Sequence, residues 1–310
     1  MSCCPPLAST LKFLLKYFKR LDFRVNVTAK TTGAGAKNEL TYNNLLSCKN
    51  DPLPQPSQFQ LAICALLGVK HIKRVPEFVV YHSLVGVEKI YIYFHGTKDD
   101  FVTNWNYFKP FVENGILEVV PYFFTTKDFQ DGIQLGAYND CLHKSKDKAK
   151  WLGILDVDEF FQIQTTSRFE SLVDLMNFHE EYSSIAFIPY FYALKNEDDA
   201  GKYVENCEYP SFINDWTLCR DEHLIRPSKM IHSTMANDYI GVHRHVGKRH
   251  AINVSTSEAV LAHYRYPYKS YTISGIADGS YTECTSFKTR YGQQVIENLQ
   301  SYGYDLKCDL

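Results

Sequence analysis

From residue 59 the chain alternates between two textures. "FQLAICALL" (59–67), "VEKIYIYFHG" (87–96), "ILEVVPYFF" (116–124) and "WLGILDV" (151–157) are short apolar runs that read as strands, the first a continuous run typical of a strand buried on both faces. Between them lie stretches with helical spacing. "HIKRVPEFVVYHSLVG" (71–86) repeats Ile72, Val75, Phe78, Val79 and Leu84, with Pro76 near the first turn and Gly86 as a stop. "DDFVTNWNYFKPFVENG" (99–115) predicts a helix interrupted near Pro110 and ended by Gly115, and "DGIQLGAYNDCLHKSK" (131–146) sets Ile133, Ala137, Cys141 and Leu142 on one side. Strand and helix in alternation predict a mostly parallel sheet with helices on its faces. Ligands of such sheets bind beyond the carboxyl ends of the strands.

The flanks differ. Residues 1–57 carry Gly33 and Gly35 in a small-residue stretch and then the proline-broken "NDPLPQPSQ", so they read as an N-terminal extension packed on a main domain of residues 58–310. After Asp156 the rhythm becomes mixed. "SRFESLVDLMNFHEEY" (167–182) predicts an amphipathic helix opened by a Ser167–Glu170 capping box. "SSIAFIPYFYAL" (183–194) predicts one strand, and short strands are expected among "FINDWTLCRDE", "SKMIHS", "YIGVHRHVG", "AINVST" and "EAVLAHYRY".

Composition narrows the class. Hydrophobic residues make up 45% and charged residues 22% of the 310, an ordinary soluble balance, and a formal net charge of −2 argues against a sequence-independent nucleic-acid binder. The 22 Tyr and 20 Phe are mostly core, with the excess of Tyr also suited to stacking on sugars and bases. Nine cysteines with irregular spacing and no C-x-x-C pair predict reduced thiols and, with no signal peptide opening the chain, a cytoplasmic protein. "LKFLLKYFKR" (11–20) is too short and too rich in Lys to span a bilayer, and could make only weak contact with a membrane surface. The sequons at Asn26 and Asn253 matter only in a secretory compartment.

The candidate chemistry gathers where the fourth run ends, in "WLGILDVDEFFQI". In extended backbone, residues i and i+2 point the same way, so Asp156 and Asp158 can reach one site while Val157 turns to the core. Two carboxylates beyond a strand suit Mg²⁺ or Mn²⁺, and the ion can clamp a diphosphate. The same letters permit a haloacid-dehalogenase-like phosphatase with Asp156 as nucleophile, although Phe160 stands where that motif has Thr or Val. "GVHRHVGKRH" packs His243, His245 and His250 together, and "LAHYRYPYKSY" offers His263, Arg265 and Lys269 as cations for a diphosphate leaving group.

Taken in order, "RVPEFVVYHSLVGVEKIYIYFHGTKDD", "GAYNDCLHKSK", "WLGILDVDEFF", "SKMI", "GVH" and "AHYR" resemble glycosyltransferase family 92 over about residues 59–270. The resemblance implies a GT-A-type α/β fold, a mixed and mostly parallel sheet flanked by helices, with a nucleotide-sugar half (58–163) fused to an acceptor half (164–310). It implies that Asp156 and Asp158 hold Mn²⁺ or Mg²⁺ against a UDP-sugar, with His243 closing the metal shell and His263 as the competing candidate. "ALLGVK" and "HGTKDD" match the loops that hold uridine, with Lys70, His95 and Asp99 as the candidate contacts there. Galactose, xylose or glucose would be transferred to a glycan acceptor such as fucose. Inversion needs a carboxylate base from the acceptor half. Asp215 in "FINDW" comes first, with Asp199, Asp221 and Glu222 behind it, and Trp216 could stack on the acceptor. A non-catalytic carbohydrate-binding protein is the remaining alternative.

Overall fold

The computed structural model describes residues 24–33, 36–46, 57–122, 131–194, 207–221, 228–243, 250–264 and 282–306. Strands β1 (Arg24–Gly33) and β2 (Ala36–Leu46) pair as an antiparallel hairpin, described by itself. The main domain then runs β3 (Phe59–Gly68), α1 (Val75–Leu84), β4 (Lys89–His95), α2 (Lys98–Thr103), α3 (Lys109–Glu113), β5 (Leu117–Pro121), α4 (Asp131–Ser145), β6 (Ala149–Asp156) and β7 (Glu159–Ile163). It continues through α5 (Leu172–Phe178), β8 (Ser184–Phe187), β9 (Pro189–Ala193), α6 (Phe212–Asp215), β10 (Leu218–Asp221), β11 (Lys229–Ser233), β12 (Ala251–Asn253), β13 (Ala259–His263), β14 (Thr282–Glu283) and α7 (Gln293–Ser301). The four apolar runs are strands β3, β4, β5 and β6, hydrogen-bonded in parallel in the order 6-3-4-5. Strands β11, β8 and β12 extend that sheet beyond β6, so it is mixed and mostly parallel, as expected.

A second sheet has the order 14-10-9-13-7. The chain passes between the sheets at Val157–Asp158, from β6 to β7, and again at Ile188, from β8 to β9. "SSIAFIPYFYAL" is therefore two strands in two sheets. Proline contributes no N–H to a ladder, which suits Pro189 at the first position of the new strand. The sheets approach closely at Gly153, where an added Cβ would lie 2.9 Å from the Phe161 ring and 3.2 Å from Ile63. Only the missing side chain lets Phe161 lie there and reach Phe187, at 4.5 Å between ring centroids.

Helix α1 is buried from Val75 through His82, so its helical spacing marks a core helix rather than a surface one. Gly86 ends it at φ 97°, a conformation glycine adopts without strain. The predicted helix at 167–182 starts one turn later, because Ser171 and Asp174 form the capping box while the Ser167 hydroxyl accepts from the Phe169 amide. "YIGVHRHVG" contributes no strand over its described residues 239–243. The reduced-thiol expectation is corrected: Cys64 on β3 is joined to Cys141 on α4, and Cys219 to Cys284, at Cα separations of 6.4 and 5.7 Å. Partners 77 and 65 residues apart leave no signature in local spacing. No described helix is long and apolar enough to cross a membrane, and residues 11–20 lie outside the described residues.

Buried His82 gives the core an acid-sensitive point. Its ring stacks on Phe160 at 5.4 Å, and its Nδ1 pairs with the Phe78 carbonyl at 2.8 Å. Burial pulls its pKa down to about 3, against a weaker upward pull from that hydrogen bond. The neutral form therefore contributes stability fully above pH 6.5, and the contribution is lost as pH falls toward 3. Between pH 7 and 4.5 this removes about 2–3 kcal/mol. Urea melts of wild type and His82→Phe at the two pH values should show the variant losing less stability by that amount.

Candidate active site

The carboxyl ends of β3, β4 and β6 form one edge, with Asp156 beside Leu66 and His95 beside Gly68 in register. Strand β6 ends at Asp156, and residues 157–158 are a turn, so the extended geometry assumed for Asp156 and Asp158 does not hold. Val157 is buried, as the alternation required. The two aspartates face different partners.

Asp156 is committed to the protein. Its Oδ1 accepts from Gln134 Nε2 at 2.9 Å and the Tyr138 hydroxyl at 3.1 Å, both on α4. Its Oδ2 is 2.8 Å from the ammonium of Lys229, a fully buried residue on β11. Lys229 also lies 3.2 Å from Glu159 Oε2, and that oxygen accepts the Asp156 amide at 2.8 Å. Burial disfavours the ammonium, yet Asp156 and Glu159 outweigh it and raise the Lys229 pKa well above the ordinary lysine value. Burial pushes the Glu159 carboxyl up to about 7, with Lys229 pulling the other way.

Asp158 faces the second sheet. Its Oδ2 is 3.5 Å from His263 Nε2, and its carbonyl accepts the Tyr264 amide at 2.8 Å. His263 pairs with Glu159 in the β13–β7 ladder, so its Nδ1 lies 3.9 Å from Glu159 Oε1. The imidazole stacks on Phe191 at 4.7 Å. Burial raises the Asp158 carboxyl, but His263, Arg74 and His71 together hold it well below the usual carboxylate range. His71 is itself pulled down by burial, against Asp158 and Asp156, which raise it. Asp158 thus stays ionised with the His263 imidazole set against it, an arrangement suited to receiving a cation.

The remaining expected residues fall as follows. Lys70 is exposed in the turn after β3; His95 is partly buried at the end of β4, with Nδ1 3.3 Å from the Tyr122 carbonyl; Asp99 is exposed in the first turn of α2. His243 is exposed at the end of segment 228–243, and the histidine set against Asp158 is His263. Asp215 is exposed at the end of α6, while Trp216 is 2% exposed against Phe212 and Tyr264, so it is a core aromatic and not an acceptor platform. Arg265, Lys269, His245, Asp199 and Glu222 lie outside the described residues. Lys229, His71, Arg74, Gln134 and Tyr138 were not singled out by their spacing, because each is brought in by a partner distant in sequence. Among the described residues, no group of three His, Cys, Asp or Glu side chains could hold a metal ion. A site of Asp158 and His263 must be completed by a ligand's own oxygens, which fits Mg²⁺- or Mn²⁺-type binding through one or two side chains plus phosphates.

The model of glycosyltransferase family 92 matches residues 59–307. The chain belongs to glycosyltransferase family 92. Its mixed α/β architecture agrees with the GT-A-type expectation, and the phosphatase alternative is left without support. This family 92 chain is 29% identical over 122 residues to a galactan beta-1,4-galactosyltransferase of Arabidopsis thaliana, covering 38% of the chain and 22% of the relative. It is 30% identical over 131 residues to a beta-1,4-galactosyltransferase of Caenorhabditis elegans, covering 39% of the chain and 30% of the relative. A family 92 protein of Ricinus communis is 23% identical over 224 residues, 67% of the chain and 35% of the relative. The chain thus spans about a fifth to a third of the length of these curated relatives. Among solved structures, glucosyl-3-phosphoglycerate synthase from Mycobacterium tuberculosis aligns over 79% of the chain and 80% of its own, at 11% identity and a TM-score of 0.32, too low to bear on the site.

Removing Lys229 should expose how much the cluster depends on it. In Lys229→Met, Asp156 and Glu159 lose their shared cation, and stability should fall by about 3 kcal/mol, since breaking a buried pair strands the charge left behind. Adding Glu159→Gln should recover part of that loss in denaturant melts.

Proposed function

We propose that this family 92 chain is a metal-dependent, inverting glycosyltransferase that moves a sugar from a UDP-sugar to a hydroxyl of a glycan. The observation that carries the reading is the Asp158–His263 pair beyond the ends of the parallel strands, with the aspartate held ionised. Asp158 and His263 would hold Mn²⁺ or Mg²⁺, which when bound neutralises the donor diphosphate as it leaves. Asp156, tied to Lys229, would lie alongside as the motif's second anion and keep α4 against the strand end. Lys70 follows β3, His95 ends β4 and Asp99 opens α2, and the uridine is proposed to lie beside them. Arg265 and Lys269 follow His263 in sequence and are proposed as further diphosphate contacts. His243 remains the alternative ligand from the same half of the chain.

Asp215 is proposed as the base: it is exposed, comes from the acceptor half and would take the proton from the attacking hydroxyl. Two relatives named as beta-1,4-galactosyltransferases favour galactose over xylose or glucose as the donor sugar. The acceptor would be a glycan, with fucose or galactose at its end.

Calorimetric titration of UDP tests the reading. Binding is expected with Mn²⁺ present, with at least a tenfold weakening in Asp158→Ala and in His263→Ala. Equally tight UDP binding in excess chelator, unchanged by Asp158→Ala, would overturn it. Saccharide binding with no turnover across a panel of UDP-sugars would instead identify a carbohydrate-binding protein.

A further inference from the structure

Helix α1 carries a buried acid that the site itself does not use. Glu77 is 1% exposed, and both of its oxygens are occupied by one short segment. Oε1 accepts the Ser211 hydroxyl at 3.0 Å and the Ile213 amide at 3.1 Å, and Oε2 accepts the Phe212 amide at 2.9 Å. These donors are the N-cap residue and the first two residues of α6, the four-residue helix that ends in Asp215. So short a helix has little stability of its own, and its first amides need acceptors. Its N-cap side chain makes no capping bond, and Glu77 supplies the acceptors from another element.

The same face of α1 reaches the Asp158 side. Arg74, three residues before Glu77 and 2% exposed, lays its guanidinium over the Phe212 ring at 3.9 Å. Its Nη1 donates to the Tyr264 carbonyl at 2.6 Å, and the Tyr264 amide donates to the Asp158 carbonyl. On the far side of α6, Asn214 Nδ2 donates to the Gly292 carbonyl at 3.2 Å, and a Cβ at Gly292 would fall 2.3 Å from Asn214 Oδ1. The Asp215 turn is thus held from two sides, and its main hold is a buried carboxyl group, its pKa pushed up to about 8 by desolvation, one helical step from the residue that steadies Asp158.

We propose that Glu77 is a positioning residue of the transfer reaction, fixing the turn that carries Asp215 relative to the Asp158–His263 pair. The inference rests on the reading of those residues as base and donor site. Glu77 touches neither substrate, so its loss should separate the two functions.

Two measurements on the full chain test this. Hydrogen exchange followed by mass spectrometry should show, in Glu77→Gln, faster exchange in peptides covering 211–216 and unchanged exchange in those covering 149–163. In the same variant, kcat for transfer from UDP-galactose to a galacto-oligosaccharide should fall at least tenfold, while the calorimetric Kd for UDP with Mn²⁺ stays within twofold. Glu77→Asp, which keeps two acceptor oxygens, should restore part of the lost kcat. If Glu77→Gln is too unstable to purify, Ser211→Ala removes one of the three donors and should give the same pattern at smaller size. Unchanged exchange at 211–216, or loss of UDP binding in step with kcat, would overturn the proposal. Failure of the wild type to bind UDP with Mn²⁺ would instead overturn the donor-site reading on which it rests.

Discussion

The structure around the strand end depends on one buried ammonium. Three acids within four positions, Asp156, Asp158 and Glu159, would repel one another and lose hydration where β6 gives way to β7. Lys229 meets two of them, at 2.8 and 3.2 Å. At an effective dielectric constant near 20, unit charges at that range attract by about 5 kcal/mol, comparable with the several kcal/mol lost on desolvating each ion. The cluster is therefore close to break-even as a source of stability. Its effect is on arrangement: Lys229 and Asp156 belong to the large sheet and Glu159 to the small one, so the cation ties the sheets together where the chain crosses between them.

That neutralisation divides the labour between the two aspartates. Asp156, satisfied by Lys229, Gln134 and Tyr138, orders the strand end and the facing helix. Asp158 has the His263 imidazole, not an ammonium, against its carboxylate, with Arg74 and His71 also drawing its pKa down. A lysine beside it would compete with a metal ion permanently, whereas a neutral histidine can become a ligand itself. On the proposed function, the charge balance of the site is completed by what binds there.

The four parallel strands, α1 and the carboxylate motif were legible because each writes its signal within a few residues. Strands β3, β4 and β6 are buried along most of their length, and Gly86 ends α1 at a positive φ. What failed was set by distant partners. "SKMI" looks like a surface lysine beside a strand, and nothing local shows that Lys229 is buried between two acids. The sheet switch at Ile188 interrupts a continuous apolar run that reads as one strand. Seeing that His263 lies against Asp158 required the β13–β7 register, which places His263 opposite Glu159. In the hairpin, "RVNVTAKTT" alternates in the manner of a strand ahead of Gly33 and Gly35, but the small-residue stretch drew the reading toward irregular structure.

The two sides of the site are built by different means. The Asp158–His263 side is held by sheet register and a charge cluster, so altering any member disturbs its neighbours. The Asp215 side rests on a single four-residue turn, gripped by Glu77, Arg74 and Asn214. These grips act on backbone groups, the Ser211 hydroxyl, the Asn214 side chain and the Phe212 ring, and leave the Asp215 side chain exposed. Exposed residues of the turn can therefore change without breaking its hold. On the proposed roles, acceptor preference can vary through the surface around Asp215 while the donor chemistry stays fixed, because α1 is their common support.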